Sequence, residues 1–378
     1  MLDGARCVST SSNGHGPPGP TTHGNVLRTA FRVSPTEEIL EFGTFVTNRS
    51  ARVSNTFEGW YQVPLFVFNS QLVRKLRGKD GTTGRTHRIS FRLGDSDRVF
   101  EIDISPAQIL SPDGSEQQAH YPGPSEERVL EALFHLAAQP GCGASALGFA
   151  AVRFTYAALG DELTRHGHKM SHRQISLSLQ ILNQTRMIIR DPKVKEPIYS
   201  GSPLPQIVRD TPSPDRRKIV LIAEFSAPVA ALIGRGSYRQ IDYERLMQIR
   251  HPVARFLYKR LVHKYTYADM MNSYNFSFSS VRSAGLLDSY NARVDRQRPV
   301  VKDALDELVE RQVIRPSYDV AVRHAPTGRR VVEDVVYTVA ATKQFVMEQK
   351  AAGKRSKELT VRRRAVSDTS NVVALDRQ

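Results

Sequence analysis

Two clusters of polar and basic side chains stand where helices are predicted to begin, and both could form hydrogen bonds to the edges of DNA bases. Arginine pairs with guanine through two parallel hydrogen bonds, and glutamine or asparagine pairs with adenine. Because the N-terminal end of a reading helix meets base edges in the major groove, both clusters are candidate DNA contacts. The first cluster consists of Lys169, Ser171, His172, Arg173 and Gln174. The second consists of Asn291, Arg293, Arg296, Gln297 and Arg298, followed by Lys302.

Each cluster lies inside a segment whose pattern predicts a helix-turn-helix followed by a strand. The segments are Glu126–Asp191 and Arg250–Asp319. In each, an amphipathic helix comes first, a short element follows, and the helix with the cluster precedes a β-branched strand. Ser171 and Gln174 have the spacing of a capping box, which fixes the start of the first reading helix. The predicted apolar stripes are Val129, Leu133 and Leu136; Ile175, Leu179 and Leu182; Ala254, Leu257 and Leu261; and Val301, Leu305 and Leu308.

A two-stranded ribbon with a basic loop is predicted after each reading helix. In the first segment the strands are MIIRD and KIVLIAEFS, joined by the Pro-rich loop 192–217. In the second they are VIRPSYDV and RRVVEDVVYTVA, joined by RHAPTGRR. Basic side chains on such loops suit phosphate contact, and the candidates are Arg323, Arg329 and Arg330. Three helices with a ribbon of this kind form a winged helix.

The predicted fold class is α+β, with two winged-helix domains in tandem, an N-terminal β-hairpin and disordered tails. The strand-forming runs WYQVPLFVF, HRISFRL and RVFEIDIS supply the hairpin sheet. Ser125 is expected to cap the first helix. The expected boundaries are residues 1–57 for a disordered tail, 58–226 for the first domain with its hairpin, 227–342 for the second domain, and 343–378 for a basic disordered tail.

The charge balance favours a polyanionic partner. Lys and Arg total 53 against 38 for Asp and Glu, which gives a formal net charge of +15. Each DNA phosphate that such a surface neutralises releases condensed counterions. No apolar run of about 18 residues is present, so no transmembrane helix is expected. The first residues also lack the apolar core of a signal peptide. We therefore expect a cytoplasmic protein with no membrane partner.

Catalytic chemistry has less support. His166 and His168, with His172 nearby, resemble the paired histidines of rolling-circle nucleases, but Gly167 places them in a turn rather than on one face of a strand. The stretch 78–85 (GKDGTTGR) does not have the G-x-x-x-x-G-K-[ST] order of a phosphate-binding loop. We expect no enzyme activity, no cofactor and no metal site.

Residues Asp288–Val313 resemble the C-terminal winged helix of TrfA-like, RepA-type plasmid replication initiators. The resemblance lies in the spacing R-V-x-x-x-R-x-x-V-x-x-A-x-x-E-L and in HPVARFLYKRLVHKY before it, and it extends over Trp60–Ala340. It implies tandem winged helices that bind repeated double-stranded sites (iterons) at a plasmid origin in bacteria. It also implies opening of the adjacent duplex, recruitment of a host replication initiator and helicase, and a homodimer that pairs through the first domain.

Two other functions fit the same pattern: a winged-helix transcriptional regulator and, with less support, a rolling-circle nuclease. A regulator would usually carry an effector or dimerisation domain, and a nuclease would need a divalent metal. Within the favoured interpretation, the second domain is predicted to do most of the base reading because its arginine cluster is denser. Its reading helix is expected to enter the groove end-on, because its second half is acidic. These acidic residues are Asp303, Asp306, Glu307 and Glu310.

Overall fold

A computed structural model describes most of the chain between residues 52 and 357. The described residues are 52–78, 84–93, 98–111, 114–146, 149–194, 196–211, 215, 218–266, 269–287, 294–324, 332–355 and 357. Four of the predicted contact residues, Asn291, Arg293, Arg329 and Arg330, lie outside these ranges. Most of the two predicted tails does as well.

The first unit is a winged helix with a second sheet attached. Its elements are β1 (Val53–Phe57), α1 (Ser70–Arg77), β2 (His87–Arg92), β3 (Val99–Ser105), β4 (Ala107–Leu110), β5 (Gln117–His120), α2 (Pro124–Ala137), β6 (Gly143–Ala146), β7 (Phe149–Thr155), α3 (Tyr156–Arg165), α4 (His172–Gln184), β8 (Arg186–Arg190), β9 (Pro197–Gly201), β10 (Ile207–Thr211), β11 (Val220–Glu224) and α5 (Ala227–Arg235). Helices α2, α3 and α4 form the helix-turn-helix. Strand β7 and the ribbon β10–β11 complete the winged helix in a sheet of order β10-β11-β7-β6.

The ribbon of the first unit differs from the predicted one. MIIRD (β8) does not pair with KIVLIAEFS (β11). It pairs with β3 and β9 in a separate antiparallel sheet of order β2-β3-β8-β9. The partner of β11 is β10, which lies inside the stretch predicted as a Pro-rich loop. The predicted pairing of β8 with β11 was wrong because the local sequence indicates that a strand is present but does not determine which strand it pairs with.

The N-terminal hairpin is confirmed in part. HRISFR and VFEIDIS pair as β2 and β3, with His87 opposite Ile104. WYQVPLFVF forms no strand: it begins with a 3-10 turn at Trp60–Gln62, and helix α1 follows at Ser70. The cap predicted at Ser125 is also wrong, because α2 begins at Pro124 with Gly123 as its N-cap. Proline suits that first helical position because it has no N–H to leave unsatisfied.

The second unit repeats the order helix, strand, helix, helix, strand, strand. Its elements are β12 (Tyr238–Asp242), α6 (Tyr243–Gln248), α7 (Pro252–Lys264), β13 (Ser273–Ser277), α8 (Phe278–Ser283), α9 (Val294–Glu310), β14 (Asp319–His324) and β15 (Val332–Ala340). The sheet order is β13-β15-β14, so the last strand is central, as β11 is between β7 and β10 in the first unit. The fold is therefore α+β with two winged helices in tandem. Among the described residues, no helix has the length and apolar content needed to cross a membrane.

Each unit has its own main hydrophobic core. Every residue of the four predicted apolar stripes is buried in one of them. Burial of one such side chain stabilises the folded state by roughly 1.5–3 kcal/mol. Helix α5 packs into the first core through Val229 and Ile233, so that unit extends past residue 226. The segment β12–α6 contributes to both cores, with Tyr243 in the first and Leu246 in the second.

Residues 343–355 are helical, and we label this helix α10. The expected disordered tail is thus wrong for this stretch. Phe345, Gln349 and Ala352 are all buried, and their spacing is that of one helix face. Glu348 accepts two hydrogen bonds from Arg245, at 2.6 and 2.9 Å, which fastens α10 to α6.

The two units are joined by a buried cluster of opposite charges between their first helices. Glu127 and Glu131 on α2 face Arg255 and Lys259 on α7. Arg255 donates to Glu127 at 2.5 and 2.9 Å, and Lys259 donates to Glu131 at 2.5 Å. Burial alone would raise the pKa of Glu127, but Arg255 and Lys259 hold it below its usual value. Glu127 therefore stays ionised and paired between the units, whereas burial raises the pKa of Glu131, which is hydrogen-bonded to Lys259.

We expect Glu127→Ala to lower the free energy of unfolding by about 3–5 kcal/mol, because it leaves the buried Arg255 without its carboxylate. Urea unfolding followed by circular dichroism measures the loss. The matched control is Asp306→Ala, which removes one half of the exposed pair Lys302–Asp306 and should leave the unfolding midpoint unchanged. Equal losses in the two variants would contradict a structural role for the buried cluster.

Candidate nucleic-acid interface

The first reading helix, α4, presents its whole predicted cluster to solvent. Lys169, Ser171, His172, Arg173 and Gln174 are all exposed. The capping box is confirmed: the Ser171 N–H donates to Gln174 Oε1 at 2.8 Å, and Ser171 Oγ accepts the Gln174 N–H at 3.3 Å. The amide oxygen of Gln174 is thus committed to the helix start. Its amide nitrogen remains as the donor for a base.

Three contacts fix the orientation of α4. Ser178 Oγ donates to Glu126 Oε1 at 2.7 Å, which ties α4 to the start of α2. Ile181 packs against the β4–β5 hairpin in a small apolar cluster with Ala107 and Ile109. The His172 ring lies 4.1 Å from that of Tyr156 at the start of α3. The helix is held along two sides, and its N-terminal turn remains open.

The second reading helix, α9, exposes fewer of its predicted residues. Arg296 and Lys302 are exposed. Gln297 was also predicted to contact a base, but its side chain is buried in this structure and only 5% exposed. The reason is helical geometry, because Gln297 stands four residues before Val301 and so continues the buried stripe that includes Leu305 and Leu308.

Arg298 is half-buried and forms a hydrogen bond with Tyr337 on β15. Burial raises the pKa of Tyr337, and the Arg298 guanidinium opposes that rise. Arg298 therefore braces α9 against the strand behind it. Of the two arginines on α9, Arg296 is the one fully open to a DNA base.

Two acidic residues of α9, Asp306 and Glu307, have specific partners. Glu307 accepts the backbone N–H groups of Arg250 and His251 at 2.7 and 2.9 Å, and so caps the start of α7. Asp306 pairs with Lys302 one turn earlier on the exposed face. Because these carboxylates lie on the rear half of α9, a phosphate backbone is repelled there. End-on entry of this helix stays a prediction.

The wings are described in part. Arg323 is exposed near the end of β14, opposite Asp334 on β15. Asp334 is engaged elsewhere, because it accepts the N–H and Oγ–H of Ser279 at 3.0 and 2.6 Å. Arg323 is thus placed to meet a phosphate. In the first unit, the wing that joins β10 to β11 spans residues 212–219, most of which lie outside the described ranges.

The turn histidines of the first unit hold the helix-turn-helix against the linking helix α6. His168 Nε2 lies 2.7 Å from the carbonyl oxygen of Met247, and His166 Nε2 lies 3.0 Å from Glu162 Oε1. The ring of His135 stacks flat on that of Tyr243, 4.0 Å between centroids. No group of His, Cys, Asp and Glu within the described residues has the arrangement to hold a metal ion.

Burial lowers the pKa of His135 to about 4, below its ordinary 6.5. The unfolded chain takes up this proton as the pH falls below 6.5, whereas the folded chain resists it. Stability that is fully present above pH 6.5 is therefore lost as the pH falls towards 4, by up to about 3 kcal/mol.

We expect His135→Phe, which keeps a ring against Tyr243 and cannot titrate, to reduce the fall in unfolding free energy between pH 7 and pH 5. Urea titrations at both pH values measure the difference. His324→Phe, at an exposed histidine on β14, is the control and should retain the full fall. An unchanged pH dependence in His135→Phe would show that the stacked histidine is not the titrating group.

Comparisons with known proteins found similar structures only. No protein-family model matches the sequence, and no curated protein matches it. Domains 2 and 3 of RctB, as a selenomethionine derivative, share 12% identity over 68% of this chain and 91% of that one, with a TM-score of 0.41. The Pi initiator protein in complex with iteron DNA shares 14% sequence identity. The match covers 58% of this chain and 91% of that one, with a TM-score of 0.38. A second structure of RctB domains 2–3 shares 12% sequence identity. The match covers 71% of this chain and 95% of that one, with a TM-score of 0.37.

The class of the protein follows from its own topology. Two units with the same order of helices and strands define a tandem winged-helix protein of the α+β class.

Proposed function

We propose that this protein binds double-stranded DNA in a sequence-specific manner through both winged helices at once. The observation that carries the proposal is that basic side chains are exposed at the start of both reading helices. The ion-pair cluster between α2 and α7 holds the two units together. Lys169 and Arg173 stand at the start of α4, and Arg296 stands at the start of α9. The net charge of +15 supports the same partner.

In this proposal, base edges and phosphates are read by different residues. Arg173 and Arg296 donate to guanine, and Gln174 donates its amide N–H₂ group to a base acceptor. Lys169 and Arg323 neutralise phosphates, which sets affinity and orientation but carries little sequence information. Lys302 is already paired with Asp306 and contributes less. Because counterions are released at each phosphate, binding should weaken steeply as salt concentration rises.

The biological role that we propose is initiation of plasmid replication. This role rests on the resemblance of Trp60–Ala340 to TrfA-like, RepA-type initiators. It would place the protein on iterons in a bacterial cytoplasm, where it opens the adjacent duplex and recruits a host initiator and helicase. We also propose that it is not an enzyme. A winged-helix transcriptional regulator is the second candidate, since the same two reading helices would serve a palindromic operator.

A footprint on the DNA that flanks the gene separates these roles. An initiator should protect arrayed direct repeats and leave the DNA unbroken with or without magnesium. Protection of a single palindrome would favour the regulator. A magnesium-dependent nick with protein attached to one DNA end would establish a nuclease and overturn the proposal.

Arg173→Ala and Arg296→Ala should each lower affinity for the protected site by about tenfold or more, because each removes a bidentate contact worth roughly 1–3 kcal/mol. Affinity for random duplex should fall much less. Fluorescence anisotropy with both duplexes measures the two constants. Arg92→Ala, at an exposed arginine on β2 away from both reading helices, is the control and should change neither. An equal loss on both duplexes would assign the arginines to phosphates instead of bases.

A further inference from the structure

A cavity of about 480 Å³ lies where the first unit meets the helix-turn-helix of the second. Its walls come from the segment that leads into α1, from β2, from the start of α7, from α8 and the turn after it, and from α9. Phe66, Phe68 and Leu72 form an apolar wall from the first unit, and Leu286 and Val300 form one from the second. This volume falls in the range of small-molecule sites, roughly 300–1,000 Å³.

Buried polar nitrogens that have no partner among the described residues line the same cavity. Arg282 Nε and Nη2 are buried and have no acceptor within the described part of the chain. His251 Nδ1 is also buried and unpaired there. The Arg282 guanidinium lies 4.9 Å above the ring of Phe278, which fixes its position. Burying two guanidinium nitrogens without an acceptor costs free energy, so an anion bound beside them would be stabilised.

The described protein does not supply that anion. Among the described lining residues of the cavity none is acidic. Three carboxylates that contact lining residues are each engaged with a group other than Arg282. Asp103 binds Arg88, Asp334 binds Ser279, and Glu307 binds the backbone N–H groups of Arg250 and His251. Arg88, a second lining arginine, is neutralised in this way, whereas Arg282 is not.

We propose that this cavity binds a small organic anion, a phosphate or carboxylate on an apolar body, with Arg282 as the anchor for the charged group. The guanidinium fork matches two oxygens of either group, and the rings of Phe66 and Phe68 accept the apolar part. Because both units contribute walls, the ligand would contact the first unit and the helix-turn-helix of the second at once. This inference does not depend on the proposed DNA contacts, since no reading residue lines the cavity.

The test is calorimetric titration of the full-length protein with phenyl phosphate, inorganic phosphate and benzyl alcohol, in the absence of DNA. Phenyl phosphate should bind, inorganic phosphate more weakly, and the neutral benzyl alcohol most weakly. Arg282→Gln should weaken binding of phenyl phosphate by about tenfold or more, because a charge-assisted pair is lost. Leu72→Trp, which fills the cavity from the first unit, should also weaken it and leaves Arg282 in place.

Arg92→Gln is the matched control, because Arg92 is exposed on β2 and does not line the cavity. Its affinity for phenyl phosphate should equal that of the unchanged protein. No heat of binding for phenyl phosphate, or equal losses in Arg282→Gln and Arg92→Gln, would overturn the proposal. Displacement of phenyl phosphate by a random DNA duplex would also overturn it, because the anion would then be a backbone phosphate.

Discussion

The placement of both reading helices depends on the buried charges between α2 and α7. Removing an ion from water costs several kcal/mol, so buried charges persist only where each has a close partner. Glu127, Glu131, Arg255 and Lys259 meet this condition in one arrangement of the two helices. Arg255 also donates to the carbonyl oxygens of Ile249 and Arg250, at 3.0 Å each. A sliding movement of one unit against the other would break several of these bonds together.

Each unit then fastens its reading helix to its first helix by a carboxylate. In the first unit, Glu126 on α2 accepts from Ser178 on α4. In the second, Glu307 on α9 caps the start of α7. The carboxylate lies on the first helix in the first unit and on the reading helix in the second, but in both units it ties these two helices together. Because the first helices are locked to each other, the starts of α4 and α9 are held at a fixed separation and angle.

Local rules in the sequence predicted much of this fold. The apolar stripes, the capping box of Ser171 and Gln174, and the β2–β3 hairpin depend on neighbours in the chain, and all three are confirmed. Gln297 was predicted to be exposed because it is polar, although its position four residues before Val301 places it on the buried face of the helix. The helix at residues 343–355 was missed for a similar reason: its many basic residues concealed the buried spacing of Phe345, Gln349 and Ala352.

Other features could not be predicted from local pattern, because they join distant parts of the chain. No spacing rule links Glu127 to Arg255, or β8 to β3. The roles of His168 and Glu307 also depend on backbone groups, which every residue carries and which therefore leave no mark in the sequence. Arg282 was not singled out either, because the burial of two of its nitrogens away from any acceptor among the described residues arises only in the folded cavity.

The pairing of β1 with β12 has a consequence for how the chain is made. Val53 lies opposite Asp242, and Arg52 donates to the Asp242 carboxylate across 190 positions of sequence. During synthesis from the N-terminus, β1 emerges from the ribosome long before its partner. Phe57, the last residue of β1, is part of the first hydrophobic core. The first unit therefore reaches its final state only after β12 has been synthesised, and closure of this long loop is a late event in biogenesis.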